Sequence, residues 1–384
     1  MARPASANEE KAPDMFKVRE QTLRFVESMR MTEGPFGAYR YAAESTKPTL
    51  YSSTYAAMTR HLYRDLDSLG NADRDAWIAY LQSHQDDDGL FRDPVIFGEG
   101  MYKDDPLWCG RPHLTCHVLT ALRCLDATAA KPLRWLEPFL DQEKLIAWLE
   151  QRNWGRDVAW SGNEVLNVGT LLQYARDFQH DERCVPALET MLAWMEARCD
   201  PATGLWGVSA LDLNNPVDRS HAVQAAYHFW LLWFYDRKPI PHAEKALEQV
   251  LLTQNPQGGF GWGVHNGAAP FDSSACEDID SIDPLARLIS SSGERKAEVL
   301  KTLTRSEPWV LSNQTADGGL CFMKGREFAY GHPQLSSAAG AGAMFPTWFR
   351  TLTLAYLGKG APDSLAGKVD WQFCDCPGLQ FWKA

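Results

Sequence analysis

Four carboxylates fall within seven positions of this chain: Glu277, Asp278, Asp280 and Asp283, in the stretch Cys276-Glu-Asp-Ile-Asp-Ser-Ile-Asp283. Like charges this close oppose one another's ionisation, which is one way to keep a carboxylic acid protonated near pH 7 and so ready to donate a proton. An ionised neighbour about 5 Å away, at an effective dielectric of ~20, disfavours a second charge by roughly 3 kcal/mol. A helix start favours the ionised form by only about 0.3–1 kcal/mol. The other reading is a solvated helix start. Asp283 precedes Pro284 and an apolar run, the pattern of an N-cap with proline at the first helical position. That reading explains one acid and not four; the acid reading requires the cluster to be desolvated.

A repeated unit positions this cluster. A polar turn with glycine, followed by an aromatic residue or leucine, closes a helix at Gly37, Gly89, Gly155, Gly204, Gly259 and Gly319, every 49 to 66 residues. Clear copies are Leu81-Gln-Ser-His-Gln-Asp-Asp-Asp-Gly-Leu-Phe91 and Leu311-Ser-Asn-Gln-Thr-Ala-Asp-Gly-Gly-Leu320; the copy around Gly155 is degenerate. Glycine supplies the left-handed conformation that ends a helix. Each period holds two helices. Those before the turns, such as Asp73–Gln85 and Lys296–Asn313, are amphipathic and charged; those after, such as Asn163–Phe178 and His221–Tyr235, are apolar all round. A helix apolar all round is buried, and one with a polar face is peripheral. The expected fold is all-α, an (α/α)6 toroid of six inner and six outer helices, against an open solenoid, which would need polar capping repeats. Residues 1–14 read as a flexible tail and 15–384 as one toroid domain, with a C-terminal extension from about residue 359.

In a closed ring the inner helices run parallel, so the residues that open them meet at one mouth. These are Ser53 and Tyr55; Arg111, His113 and His117; Asn163, Glu164 and Asn167; Arg219 and His221; the acid cluster; and Thr347, Trp348 and Arg350. A polar cluster on an apolar, aromatic-rich channel suits a small molecule. Trp262, Cys276 and Trp348 flank the same mouth, and three long connections, 92–112, 261–277 and 321–344, reach it. Loops of this length either close over a ligand or stay on the surface. Aromatic faces, as in Tyr227-His-Phe-Trp-Leu-Leu-Trp-Phe-Tyr235, serve as core packing or stabilise cations by about 0.5–2 kcal/mol each.

Composition sets bounds. A net charge of −11 argues against nucleic acid and anionic membranes as partners. No apolar run reaches transmembrane length and the start is polar. Nine cysteines without metal spacing, apart from Cys374-Asp-Cys376, suggest reduced thiols and a cytoplasmic location.

The Gln-rich turn followed by glycine and an aromatic, repeated from about Met15 to Leu357, resembles the QW-type repeats of the terpene cyclase and protein prenyltransferase superfamily. Asp278-Ile-Asp280-Ser281 is similar to the Asp-x-Asp-Asp motif of class II terpene cyclases, whose middle aspartic acid protonates an alkene or epoxide. The resemblance implies Asp280 as proton donor with Asp278 and Asp283 beside it. It implies an apolar isoprenoid-type substrate contacted by His113, His117, Glu164, Asn167, His221, Trp262, Cys276, Trp348 and Arg350. Ser281 departs from the motif, and the chain holds one toroid where class II cyclases use two. Prenyltransferases bind zinc with Asp-x-Cys at this helix and a histidine at the sixth; here Asp280 replaces the cysteine and Phe345–Arg350 offers no histidine. Cys276 and His332 lack the spacing of a zinc site. The expectation is therefore a metal-independent terpenoid cyclase without cofactor. The alternatives are a carbohydrate-active toroid, a glycoside hydrolase or lyase with Glu164 and Asp280 as its carboxylate pair, and a non-catalytic binding toroid. Elemental analysis of the purified protein should find no stoichiometric zinc; about one zinc per chain would restore the transferase reading.

Overall fold

The computed structural model describes residues 14–262 and 273–383. The expected N-terminal tail, apart from Asp14, and the middle of the 261–277 connection lie outside the described residues. Twelve α-helices among them alternate between an outer and an inner ring: α1 (Met15–Ser28), α2 (Leu50–Leu62), α3 (Asn71–Gln82), α4 (Arg111–Cys124), α5 (Gln142–Glu150), α6 (Val158–Phe178), α7 (Cys184–Glu196), α8 (Pro216–Tyr235), α9 (Ala243–Leu251), α10 (Ala275–Leu288), α11 (Lys296–Leu311) and α12 (Met344–Gly360). The even-numbered helices are the inner ones. All but one side chain of α2 and of α12 are buried, whereas α3 buries only Trp77 and Leu81. Each inner helix packs on the next, and α12 packs back on α2. The architecture is thus the closed (α/α)6 toroid, and the contact of the last inner helix with the first excludes an open superhelix. A two-stranded antiparallel pair, β1 (Phe328–Ala329) and β2 (Ser336–Ser337), with Phe328 opposite Ser337, braces the loop before α12.

The turn glutamines explain why the unit repeats. Gln85 donates from Nε2 to its own turn at Gly89 O (2.8 Å) and across to Lys131 O (2.9 Å), while its Oε1 accepts from Lys131 N–H (2.8 Å). Gln254 bonds Gly258 O and reaches Thr302 O on α11 (2.9 Å). Gln314 bonds Gly318 O and reaches Val18 O on α1 (3.4 Å), which carries the stitch across the seam where the ring closes. Each such glutamine pins one outer element to the next. At the fifth and sixth turns the left-handed residue is the first glycine of the pair, Gly258 (φ +99°) and Gly318 (φ +91°), rather than the expected Gly259 and Gly319. The second glycine is required by space: a Cβ on Gly259 would come within 2.5 Å of Trp309, and one on Gly319 within 2.9 Å of Phe25.

Beyond α12 the chain crosses the C-terminal ends of the inner helices. Gln372 N–H bonds Leu62 O (3.0 Å), Asp375 pairs with Arg123 (3.0 Å), Gln380 bonds Met58 O (3.1 Å) and Trp348 (2.7 Å), and Arg287 donates to Phe381 O (2.7 Å). This segment stops the ring at one end and leaves the helix N-termini as the open mouth. Buried Gln85 loses three bonds when truncated, so Gln85→Ala should destabilise the protein by about 1–3 kcal/mol in urea unfolding. Asp75→Ala, at an exposed position of α3, should stay within about 0.5 kcal/mol. Equal effects would mean that the turn glutamines do not hold the rings together.

Candidate active site

Helix α10 carries the acid cluster, and it starts at Ala275 instead of Pro284. Ser274 Oγ accepts from Glu277 N–H (3.2 Å) and Glu277 Oε2 accepts from Ser274 N–H (2.9 Å), a reciprocal cap. The reading of Asp283 as N-cap is therefore corrected. Asp283 lies in mid-helix, fully buried, and accepts from Arg287 Nε (2.6 Å) and Tyr227 OH (3.2 Å). Burial pushes its carboxyl up to about 6 even so. Pro284 is inside the helix and has no N–H to give to the carbonyl of Asp280 four residues back.

Asp278 and Arg350 are both wholly buried and form an ion pair at 2.7 Å. Asp278 also accepts from Phe260 N–H (3.0 Å), Trp309 Nε1 (2.9 Å) and Ser273 Oγ. Arg350 spends its other donors on the carbonyls of Cys321 (2.8 Å), Phe322 (2.8 Å) and Ser273 (3.3 Å). Neither side chain lines the chamber at the mouth. The expected places of Asp278 in the chemistry and of Arg350 at the substrate are corrected: the pair ties α10, α11, α12 and two connections together.

Asp280 differs from its three neighbours. It is 2% exposed, it lines a chamber of about 660 Å³, and among the described residues it has no hydrogen-bond partner. Burial raises its pKa well above the usual carboxylate range, and the charges of Glu277, Asp283 and Asp278 add to that. Glu277 is held up at about 6, also mainly by burial.

The wall formed by α4, α6 and α8 is rich in nitrogen groups. His113 Nδ1 lies 2.6 Å from Tyr51 OH, and its Nε2 lies 3.3 Å from His117 Nε2. Tyr51 OH also reaches Cys109 O (3.1 Å), so its one proton goes either to that carbonyl or to His113, and the histidine pair can shift its shared proton accordingly. Burial lowers both imidazoles, His113 to about 3. His228 Nδ1 lies 2.6 Å from Gln224 O. A carbonyl only accepts, so Nδ1 carries the proton and Nε2 keeps its lone pair. Its remaining exposed surface faces the chamber, and burial lowers it to about 4, so the ring is neutral at pH 7. Asn163 and Trp160 line the same wall, and Trp160, 42% exposed, packs on Trp108 at 4.7 Å. Among the described residues no three of these side chains are arranged to hold a metal ion.

Of the residues expected at the mouth, the chamber brings together His113, His117, Asn163, Cys276 and Asp280. Asn167 and Trp348 line a smaller cavity beneath it; Asn167 donates to Leu107 O (2.8 Å) and Trp348 to Gln380 (2.7 Å). Glu164 does not line the chamber, because Arg152 holds it at 2.7 Å, so its pairing with Asp280 is corrected as well. His221 is half-buried away from the chamber, and Trp262 donates from its indole to Thr253 O (2.9 Å). His228 and Gln224 were passed over as parts of an apolar helix, and Trp160 as the end of the degenerate third turn. The i, i+4 spacing of Gln224 and His228, which puts both on one helical face, was the available signal.

The sequence matches no protein-family model and no curated protein. Solved structures share its shape. The α-1,6-mannanase GH76A from Salegentibacter sp. HEL1_6 is 12% identical, with a TM-score of 0.45 over 90% of this chain and 98% of that one. A polysaccharide lyase is 11% identical, with a TM-score of 0.47 over 90% and 97%. A D-mannose isomerase is 10% identical, with a TM-score of 0.48 over 92% and 99%. At these identities the likeness concerns shape alone. The expectation of a terpenoid cyclase acting on an isoprenoid substrate is corrected. Asp278, the first acid of the supposed cyclase motif, is consumed by Arg350 and does not line the chamber. No helix among the described residues is long and apolar enough to cross a membrane.

The raised pKa of Asp280 has a thermodynamic signature. Its folded pKa is raised, so its contribution to stability is fully present below the unfolded value of about 3.9 and is lost as pH rises toward the folded value. Wild type should therefore lose stability relative to Asp280→Asn by about 1.4 kcal/mol per pH unit above pH ~4. Urea unfolding of both proteins across pH 4 to about 8 checks this; a constant gap would mean that Asp280 ionises freely.

Proposed function

We propose that this ring is a carbohydrate-active enzyme that moves a proton on a sugar bound in the chamber, with Asp280 as general acid and His228 as general base. The observation that carries this reading is Asp280 itself: a carboxyl buried among three other acids, facing the chamber, with no partner among the described residues, its pKa raised by that burial. On the neighbouring inner helix, His228 presents an unprotonated Nε2. An acid and a base of this kind supply typically 10²–10⁴-fold each. Asp280 gives its proton to a sugar oxygen as charge builds there, and His228 accepts the proton released on the other side.

A sugar suits the wall better than a wholly apolar ligand does. Asn163, the Nε2 of His228 and Asp280 offer donors and acceptors, whereas a hydrocarbon would leave these three without partners at about 1–3 kcal/mol each. The C–H face of a sugar ring is apolar and can cover the exposed indole of Trp160 while its hydroxyls reach Asn163.

Monosaccharides and short oligosaccharides titrated into the protein should change the tryptophan fluorescence of Trp108 and Trp160. With a sugar that turns over, Asp280→Asn should lower kcat by about 10²–10⁴-fold at nearly unchanged KM. The acidic limb of kcat/KM should fall near pH 4, where His228 takes up its proton. If no carbohydrate binds, or if Asp280→Asn keeps full turnover, the assignment fails.

A further inference from the structure

The chamber has two chemically different walls, and Asp280 stands where they meet. Going round the ring, the polar groups come from α4, α6 and α8; α10 follows with Asp280; then comes α12 with Phe345 and Phe349. The loop before α12 adds Phe322, Phe328 and Tyr330 to the same side. Tyr330 contributes the one hydroxyl among these five rings.

These rings are close to parallel. Phe322 and Phe328 stack at 3.9 Å and 20°, Tyr330 and Phe345 at 5.3 Å and 14°, Phe322 and Phe345 at 5.9 Å and 28°, and Phe345 and Phe349 at 4.9 Å and 33°. Rings stacked on one another in this way offer the chamber their edges and the end faces of the stack, against which a planar ring packs edge-to-face or offset at 4.5–7 Å, worth about 0.5–1.5 kcal/mol beyond area burial per pair. A branched aliphatic chain gains the burial but not the stacking. The wall is also separate from the Trp108–Trp160 pair, which stands beside Asn163 on the polar side. This side gathers five rings, and its charged residues, Arg326 and Glu327, come from the loop and not from α12.

We infer that the chamber takes a sugar joined to a planar aromatic substituent, with the sugar on the α4–α6–α8 wall, the substituent on the Phe322–Phe328–Tyr330–Phe345–Phe349 wall, and the linking oxygen at Asp280. This rests on the carbohydrate reading above. A chamber of about 660 Å³ is within the range that encloses a ligand of two rings.

The test is calorimetric titration of wild-type protein with matched phenyl and methyl glycosides of mannose, glucose and galactose, in both anomers, and with phenol alone. At least one phenyl glycoside should bind about 10-fold or more tightly than its methyl counterpart. Phe345→Leu and Phe328→Leu, which keep apolar volume and remove a ring, should shrink that advantage to about 3-fold or less. Equal binding of a phenyl and a methyl glycoside would overturn the aromatic inference and leave the carbohydrate reading standing. Phenol binding as tightly as every glycoside would overturn the carbohydrate reading itself. Failure of all phenyl glycosides to bind at millimolar concentration would overturn the inference.

Discussion

The buried ion pair between Asp278 and Arg350 is the interaction on which the mouth of this ring depends. Two unit charges taken out of water cost several kcal/mol each, and the pair holds only because further donors and acceptors satisfy both ions. Here they do. The amide of Phe260, the indole of Trp309 and the hydroxyl of Ser273 serve Asp278, and three backbone carbonyls serve Arg350. All but Trp309, which lies on α11, belong to the connections that enter α10 and α12. One charged contact therefore sets the register of the two helices that carry Asp280 and the aromatic wall. A lysine could not replace Arg350, since one ammonium cannot reach a carboxylate and three carbonyls in this fork geometry.

That pair also bears on Asp280. The four carboxylates meet four different fates. Glu277 closes the cap of α10, Asp278 is neutralised by Arg350, and Asp283 is bonded to Arg287. Asp280 alone receives neither a cation nor a hydrogen bond among the described residues. Its neighbours' needs are met by groups that turn them away from the chamber, while their charges still oppose its ionisation. Burial is the main cause of the raised pKa of Asp280, and the charges of the other three acids add to it.

The ring was legible from the repeated turns because their chemistry is local: a helix end, a glutamine and a left-handed glycine recur in sequence. The acid cluster was legible for the same reason. What sequence reading missed is long-range. Nothing near Asp278 announces a partner 72 residues away at Arg350, and the Asp-Pro pair at Asp283 imitates a helix start that the Ser274 cap pre-empts. His228 was hidden in a run of aromatic residues whose neighbours are core. The similarity of Asp278-Ile-Asp280 to a cyclase motif misled because two aspartates at that spacing can be one structural ion and one free acid. The C-terminal extension was recognised as an extension, but its role in stopping one end of the ring is visible only where Gln380 and Phe381 meet the inner helices.

The protonation state of Asp280 can be read without a substrate. Infrared difference spectra between wild type and Asp280→Asn, recorded across pH 5 to about 9 in labelled protein, isolate one carboxyl from the 49 acidic side chains. A neutral Asp280 predicts a protonated carboxyl band at pH 7 that is present in wild type and missing in the variant. A wild-type spectrum at pH 7 showing only ionised carboxylate at this position would contradict the assignment of Asp280 as the acid of the chamber.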